Sequence, residues 1–205
     1  MLFYVLQKSM RQLILILILS FAAFTAVRSQ TVSANINYTT NPGIKGNNHI
    51  YYTAGEKLAI SDFEGNPENN SNAVAITSSG FAFKAAMKTN DDEAKLTVSV
   101  YCNFNKSRSW MKERGRNKYI LSHEQLHFDI NYLGAMNFIE KLKEVKFTVG
   151  NYNKQLEKTY YAAIADMEAM QHKYDSETMH GQLTDKQSAW IEKINKEIES
   201  VAAGF

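Results

Sequence analysis

His123-Glu124-Gln125-Leu126-His127 lies inside a run, Arg116 to Lys143, whose apolar residues recur with helical period, and no other stretch limits the fold as much. Histidines four apart stand about 40° from one another on a helix, so both rings leave one face with Glu124 beside them. Setting His123 at zero and turning about 100° per residue, Gln125, Asp129, Tyr132, Glu140 and Ser122 gather at roughly 180–260° and read as the solvent side. His123, His127 and Gly134 fall within about 40° of each other, flanked by Leu126, Ile130 and Leu133 on one side and Ile120 and Phe138 on the other. The histidines are therefore expected to point inward. Polar groups buried without partners cost several kcal/mol, so hydrogen bonds or a metal ion must satisfy them, and one ion satisfies both rings at once. Gly134 weakens a helix by about 1 kcal/mol, which makes sense if another segment packs closely against that face.

The rest of the chain changes texture at about residue 106. Before it, 35–38, 57–63, 73–77, 81–88 and 94–104 read as short strands separated by Asn-Pro-Gly, Glu-Gly-Asn-Pro and Thr-Asn-Asp-Asp turn material. The last two form an antiparallel hairpin, one edge of which could hold an extended peptide. After residue 106 the pattern is helical: the histidine helix, a second over 152–173, and a third opening at Thr184-Asp185-Lys186-Gln187 as a capping box. The second carries Leu156, Tyr160, Ala163, Met167, Met170 and Tyr174 as its packing stripe, and the third buries Trp190 or Ile191, Ile194, Ile198 and Val201. The expected fold is α+β, an N-terminal antiparallel sheet followed by a helical half. Residues 30–205 suit one domain, β-rich over 30–106 and helical over 107–205.

Lys8 and Arg11 followed by the apolar run Leu13 to Val27 read as a cleaved signal over residues 1–29, the run being short of the roughly 20 residues of a membrane span. A secreted or periplasmic protein with no stable membrane span is expected, an uncleaved anchor being the alternative. Loss of that segment takes the formal charge from +2 to −1, which gives no electrostatic reason to expect a nucleic-acid partner. Cys102 is the only cysteine, so no internal disulfide forms; its place in an alternating strand marks it as buried.

A catalytic zinc takes three protein ligands and leaves a fourth position open. Glu157 and Glu168 lie off the apolar stripe of the second helix and, with His172, read as solvated. The segment Tyr174-Asp175-Ser176-Glu177-Thr178-Met179-His180-Gly181 reads as a loop that can fold back onto the site. In it His180 is the expected third ligand, because neutral imidazole suits zinc. Glu177 is the alternative ligand, Asp175 an acceptor that orients a ligating ring or, like Glu177, the fourth ligand of a closed structural site, and Tyr174 either core filling or a polariser of a substrate carbonyl.

Four pieces occur together: residues 58–67 reading LAISDFEGNP, Ser109-Trp110, residues 121–130 reading LSHEQLHFDI, and residues 174–181 reading YDSETMHG, with Gln187 and Trp190 beyond. On these the chain resembles the family of predicted secreted bacterial zinc-dependent proteases, long catalogued as a domain of unknown function. The resemblance implies a metallopeptidase with His123 and His127 as ligands of one Zn2+ and Glu124 as base; it agrees with His180 at the site and implies no particular substrate. The family pattern has an acidic residue and an Ala-Arg pair after HFDI, where this chain reads Asn131 to Met136. It departs from the metzincins, whose helix breaks three residues after the second histidine, where Ile130 stands. The expected function is therefore a secreted zinc metallopeptidase acting on a peptide or protein. Its rivals are a non-catalytic envelope protein with a structural metal and a peptide or glycan binding module.

Overall fold

The computed structural model describes residues 32–90 and 93–202; the expected signal segment, its cleavage point and the hairpin-turn residues 91 and 92 lie outside the described residues. In chain order the elements are β1 (Val32–Tyr38), β2 (His49–Tyr51), β3 (Ala75–Ile76), β4 (Ser79–Thr89), β5 (Ala94–Asn105), β6 (Trp110–Met111), α1 (Lys118–Lys143), α2 (Tyr152–Thr178) and α3 (Thr184–Ala202). This is an α+β fold, strands first and three helices after.

Strict alternation makes β5 the centre of the sheet. Ala94, Leu96, Val98, Val100, Cys102 and Phe104 all leave one face and are buried, as expected for Cys102. β4 pairs with it antiparallel from Ser79↔Phe104 to Thr89↔Ala94, the expected hairpin. On the opposite edge β2 runs antiparallel to residues 103–105, whereas β1 runs parallel to residues 94–100. The sheet is thus mixed where an all-antiparallel one was expected: alternation tells which face a side chain takes and is silent on strand direction. β3 and β6 form a separate two-stranded ribbon.

Residues 57–63 are not a strand. Leu58 and Phe63 reach the core, but Ile60–Asp62 is a 3-10 turn closed by the Ala59 N–H donating to Asp62 Oδ2 at 2.7 Å. This segment crosses α1 and covers what the helical wheel marked as solvent side. The Leu58 N–H donates to Gln125 Oε1 (2.7 Å), Gln125 Nε2 donates to Asp129 Oδ1 (2.7 Å), and Lys57 Nζ sits 3.1 Å from Asp129 Oδ2. Tyr52 stacks on Tyr132 with ring centres 4.3 Å apart. Gln125, Asp129 and Tyr132 are therefore buried, against expectation, because α1 has the sheet on one side, α2 and α3 on another and this segment on the third. A wheel assumes one wet face, and a central helix has none.

Gly134 behaves as its wheel position predicts. A Cβ there would lie 3.0 Å from Met167 Cβ on α2 and 3.0 Å from the Phe81 ring on β4, so the bare backbone lets three elements meet. Gly65 is tighter still, since a Cβ would come within 2.8 Å of the Ser107 and Ser109 carbonyl oxygens. Its N–H donates to the Ser109 carbonyl (2.8 Å), and the Ser109 hydroxyl donates to the Asn105 carbonyl (2.7 Å) and accepts from the Ser78 N–H (2.9 Å). The Glu-Gly and Ser-Trp pieces of the sequence pattern thus clasp the chain around the start of β4 and the end of β5. Among the described residues no helix is long and apolar enough to cross a membrane.

Candidate metal centre

Asn117 starts α1 cleanly, its side chain accepting the Ile120 N–H at 3.0 Å, and the resulting register turns His123 and His127 toward α2. α2 runs on to Thr178, past its expected end, so Asp175 sits on a helix and shares a face with Gln171 one turn earlier. The two histidine Nε2 atoms lie 3.2 Å apart, and Asp175 Oδ1 lies 3.3 Å from that of His123 and 3.2 Å from that of His127.

The hydrogen bonds behind the rings determine which nitrogen carries the proton. His127 Nδ1 is 2.6 Å from Gln171 Oε1, while Gln171 Nε2 donates to the His127 carbonyl at 2.9 Å. His123 Nδ1 is 2.7 Å from the Tyr174 hydroxyl and 3.1 Å from Gln187 Oε1, whose Nε2 donates to Ser122 Oγ at 3.1 Å. The amide nitrogens are thus engaged elsewhere and their oxygens face the rings. An amide oxygen only accepts, so both neutral rings carry the proton on Nδ1 and aim the Nε2 lone pair inward. Two lone pairs and a carboxylate oxygen then face one another, and Asp175 Oδ1 is buried without a hydrogen-bond donor.

Such a triangle fits a cation. Tetrahedral coordination with bonds of about 2.0–2.1 Å places ligand atoms about 3.3–3.4 Å apart, whereas octahedral coordination with the same bonds would draw them to about 2.9 Å. The observed 3.2–3.3 Å lies nearer the tetrahedral value. His123, His127 and Asp175 are also the group of metal-ligating residues that the described chain brings together. Without metal, a proton on His127 Nε2 can serve instead. Burial opposes charging that ring, yet the bond to Asp175, the nearby Glu124 charge and the Gln171 contact raise its pKa above the usual histidine value. Burial likewise pushes the Asp175 carboxyl up, but the histidine bonds outweigh it and hold that carboxyl well below the usual carboxylate range.

Of the expected site residues, His123, His127 and Glu124 stand together, Glu124 being 5% exposed on the wall of the cleft that opens onto the triangle. His180 is not in the triangle: its side chain is 77% exposed at the cleft mouth, with Nδ1 3.6 Å from the other Asp175 oxygen. Asp175, expected to orient a ring or to serve as an alternative ligand, takes that third position because α2 does not end before it. Glu177 is no ligand, since its Oε2 accepts from the Trp190 indole at 2.9 Å, tying α2 to α3. Tyr174 is fully buried, stacks on His123 with ring centres 4.8 Å apart and bonds its Nδ1; it orients that ring and does not face a substrate. Burial and the nearby carboxylates push its hydroxyl pKa far up, so it stays neutral.

The roles of Gln171 and Gln187 were not legible in the sequence. Gln187, expected to close a capping box, is turned to His123 instead; the one signal for Gln171 was its place one helical turn before Asp175. The helix after Thr178 ends in three consecutive left-handed residues, Met179 (φ 49°), His180 (φ 52°) and Gly181 (φ 79°). A Cβ on Gly181 would lie 3.1 Å from His123 Nδ1 and from Gln187 Oε1, so glycine is needed there for both its φ and its space. The cleft encloses about 760 Å³ between the triangle and residues 72–77 of the ribbon. The strand that lines it is β3, while the hairpin expected there contributes only Ser79.

Residues 64–181 match the model of a family described as "Bacterial protein of unknown function (DUF922)", a span of more than half of the chain. The chain belongs to this family. The DUF922 match opens at Glu64 beside the Gly65 clasp and closes at Gly181, so it contains all three triangle residues and Glu124. Neither a curated protein nor a solved structure matches the chain.

Proposed function

We propose that this DUF922 protein is a zinc-dependent hydrolase of peptide bonds, exported as its apolar N-terminal run suggests. The observation that carries the reading is the triangle of His123 Nε2, His127 Nε2 and Asp175 Oδ1, open on one side to a cleft whose wall holds Glu124. Two imidazoles and one carboxylate, spaced near a tetrahedral edge, suit zinc, and three ligands with an open side are the pattern of a catalytic rather than a structural ion. When bound, zinc would supply Lewis-acid chemistry: a more acidic water and a polarised scissile carbonyl.

The chain's own groups do the rest. Gln171, Gln187 and Tyr174 hold both rings in the tautomer that leaves Nε2 free. Glu124 accepts the proton of the attacking water and passes it to the departing amine. The wall of 72–77 screens the cleft on the side facing the triangle.

The test is zinc per chain together with peptide hydrolysis. Wild type should hold about one zinc, and Glu124→Gln should keep it while losing about 10²–10⁴-fold in rate. A Glu124→Gln variant as fast as wild type would remove Glu124 as the base. A wild type that takes up no zinc on reconstitution would remove the reading altogether.

A further inference from the structure

The β3–β6 ribbon leaves one of its edges open, and its hydrogen-bond register says which groups that edge presents. The Lys112 N–H donates to the Val74 carbonyl at 2.8 Å, and the register pairs Ala75 with Met111 and Ile76 with Trp110. In an antiparallel pair, hydrogen-bonded and non-hydrogen-bonded residues alternate. Val74 and Ile76 thus spend their backbone groups on β6, and Ala75 is a non-bonded position whose N–H and C=O point the other way. No second strand lies on that side among the described residues. β6 contributes nothing to the cleft, whereas every residue from 72 to 77 lines it, so the open edge is the one that borders it.

Two further observations say what that edge would receive. The Thr77 hydroxyl is 3.4 Å from the Glu124 carbonyl, which ties the end of β3 to α1 at the base itself, so a chain lying along β3 passes beside Glu124 and the triangle. Val74, Ala75, Ile76, Ile120 and Met167 make much of the lining apolar, and Ile76 is 41% exposed there. Among the described residues no lysine or arginine lines the cleft, so no ammonium or guanidinium there selects a chain-end carboxylate.

We infer that the open edge of β3 is a peptide-docking strand: an internal, extended polypeptide segment with apolar side chains adds to it antiparallel, exchanging hydrogen bonds with the N–H and C=O of Ala75. Antiparallel addition lets one ligand residue make both bonds, and the next residues turn their backbone away. This names the substrate class for the hydrolase reading and rests on that reading for cleavage of the docked segment; the docking itself needs no chemistry. Specificity then comes from main-chain pairing plus alternate side chains, and segments inside folded domains are excluded until they unfold.

The probe is a fluorescent, acetylated and amidated peptide of alternating leucine and alanine, titrated into zinc-loaded Glu124→Gln protein. Its alternation keeps the same parity when the peptide slips by two residues. Two peptides, one N-methylated at every leucine amide and the other at every alanine amide, should then differ, binding falling tenfold or more for one parity and little for the other. Ala75→Pro removes the presented donor without touching the bonds to β6, and should weaken binding by a similar factor with zinc content unchanged. Equal binding of the two N-methylated peptides, or no binding of the parent peptide, overturns the inference. Cleavage by wild type separates the two claims: a parity difference without cleavage keeps the docking strand and removes the hydrolase, while cleavage without a parity difference does the reverse.

Discussion

Three acceptor atoms within 3.3 Å of one another in a protein interior need a cation or a proton between them, and at this site the amide acceptors behind the rings keep the Nδ1 protons outside and the Nε2 lone pairs inside. Asp175→Ala should therefore cost at least about 100-fold in zinc affinity, whereas His180→Ala should change it only a few-fold. A competition titration against a chromophoric chelator reads both, and the opposite ranking would return the third position to His180. Gln171→Ala frees the His127 ring and should cost about 10–100-fold in affinity. The pH dependence has its origin in the same contacts. The proton on His127 is held above its usual range, so zinc must displace it, and affinity should fall about tenfold per pH unit below that raised pKa and level off above it. In metal-free protein the signs are separate. The raised His127 contributes stability below its ordinary value near 6.5 that is lost as pH rises through the folded pKa, and the depressed Asp175 contributes stability above about 4 that is lost as pH falls. Chelated protein should accordingly melt highest in mildly acidic buffer.

Among the elements, α1 carries most of the design. It is packed on all sides, and its polar residues are used twice: His123 and His127 toward α2, Gln125 and Asp129 toward the 52–63 segment. That second network fixes the helix against sliding, because the Leu58 N–H and Lys57 accept only one register. Gly134 sets the approach of α2 and so the distance from Asp175 to the histidines. In Gly134→Ala the helix gains about 1 kcal/mol in propensity, but a methyl 3.0 Å from Met167 and Phe81 overpacks the junction at about 1–3 kcal/mol. The net expectation is a loss of about 1 kcal/mol with weaker zinc binding, read by urea denaturation and metal titration; a variant stabilised with unchanged zinc affinity would show that the junction is loose.

For the whole molecule the question is whether a bound zinc would build the fold or only occupy it. A continuous apolar cluster joins the sheet to all three helices, including Phe104, Phe128, Phe138, Leu156 and Ile194. That core does not depend on the triangle, so chelation should leave the far-UV circular dichroism unchanged. Zinc at about 100 times its Kd adds about 2.7 kcal/mol, worth about 5–10 °C in melting temperature for a domain of this size. Collapse of the spectrum on chelation would instead mark a structural metal.

Much of this was readable in one dimension. The α+β order, the hairpin, α1 with its inward histidines, the close approach at Gly134 and the burial of Cys102 all follow from local periodicity, which reports how each residue faces its own element. Three things did not follow. The parallel run of β1 along β5 has no signature in alternation, since direction is set by the connection. The burial of Gln125 and Asp129 depended on a segment some seventy residues away covering α1. The third position of the triangle turned on where α2 stops: the eight residues 174–181 read as a loop with His180 near its end, and continuing the helix to Thr178 moved Asp175 inward and left His180 at the mouth. Sequence determined which residue types could meet; the packing of α2 on α1 decided which atoms did, because a ligand set is a matter of distances between elements far apart in the chain.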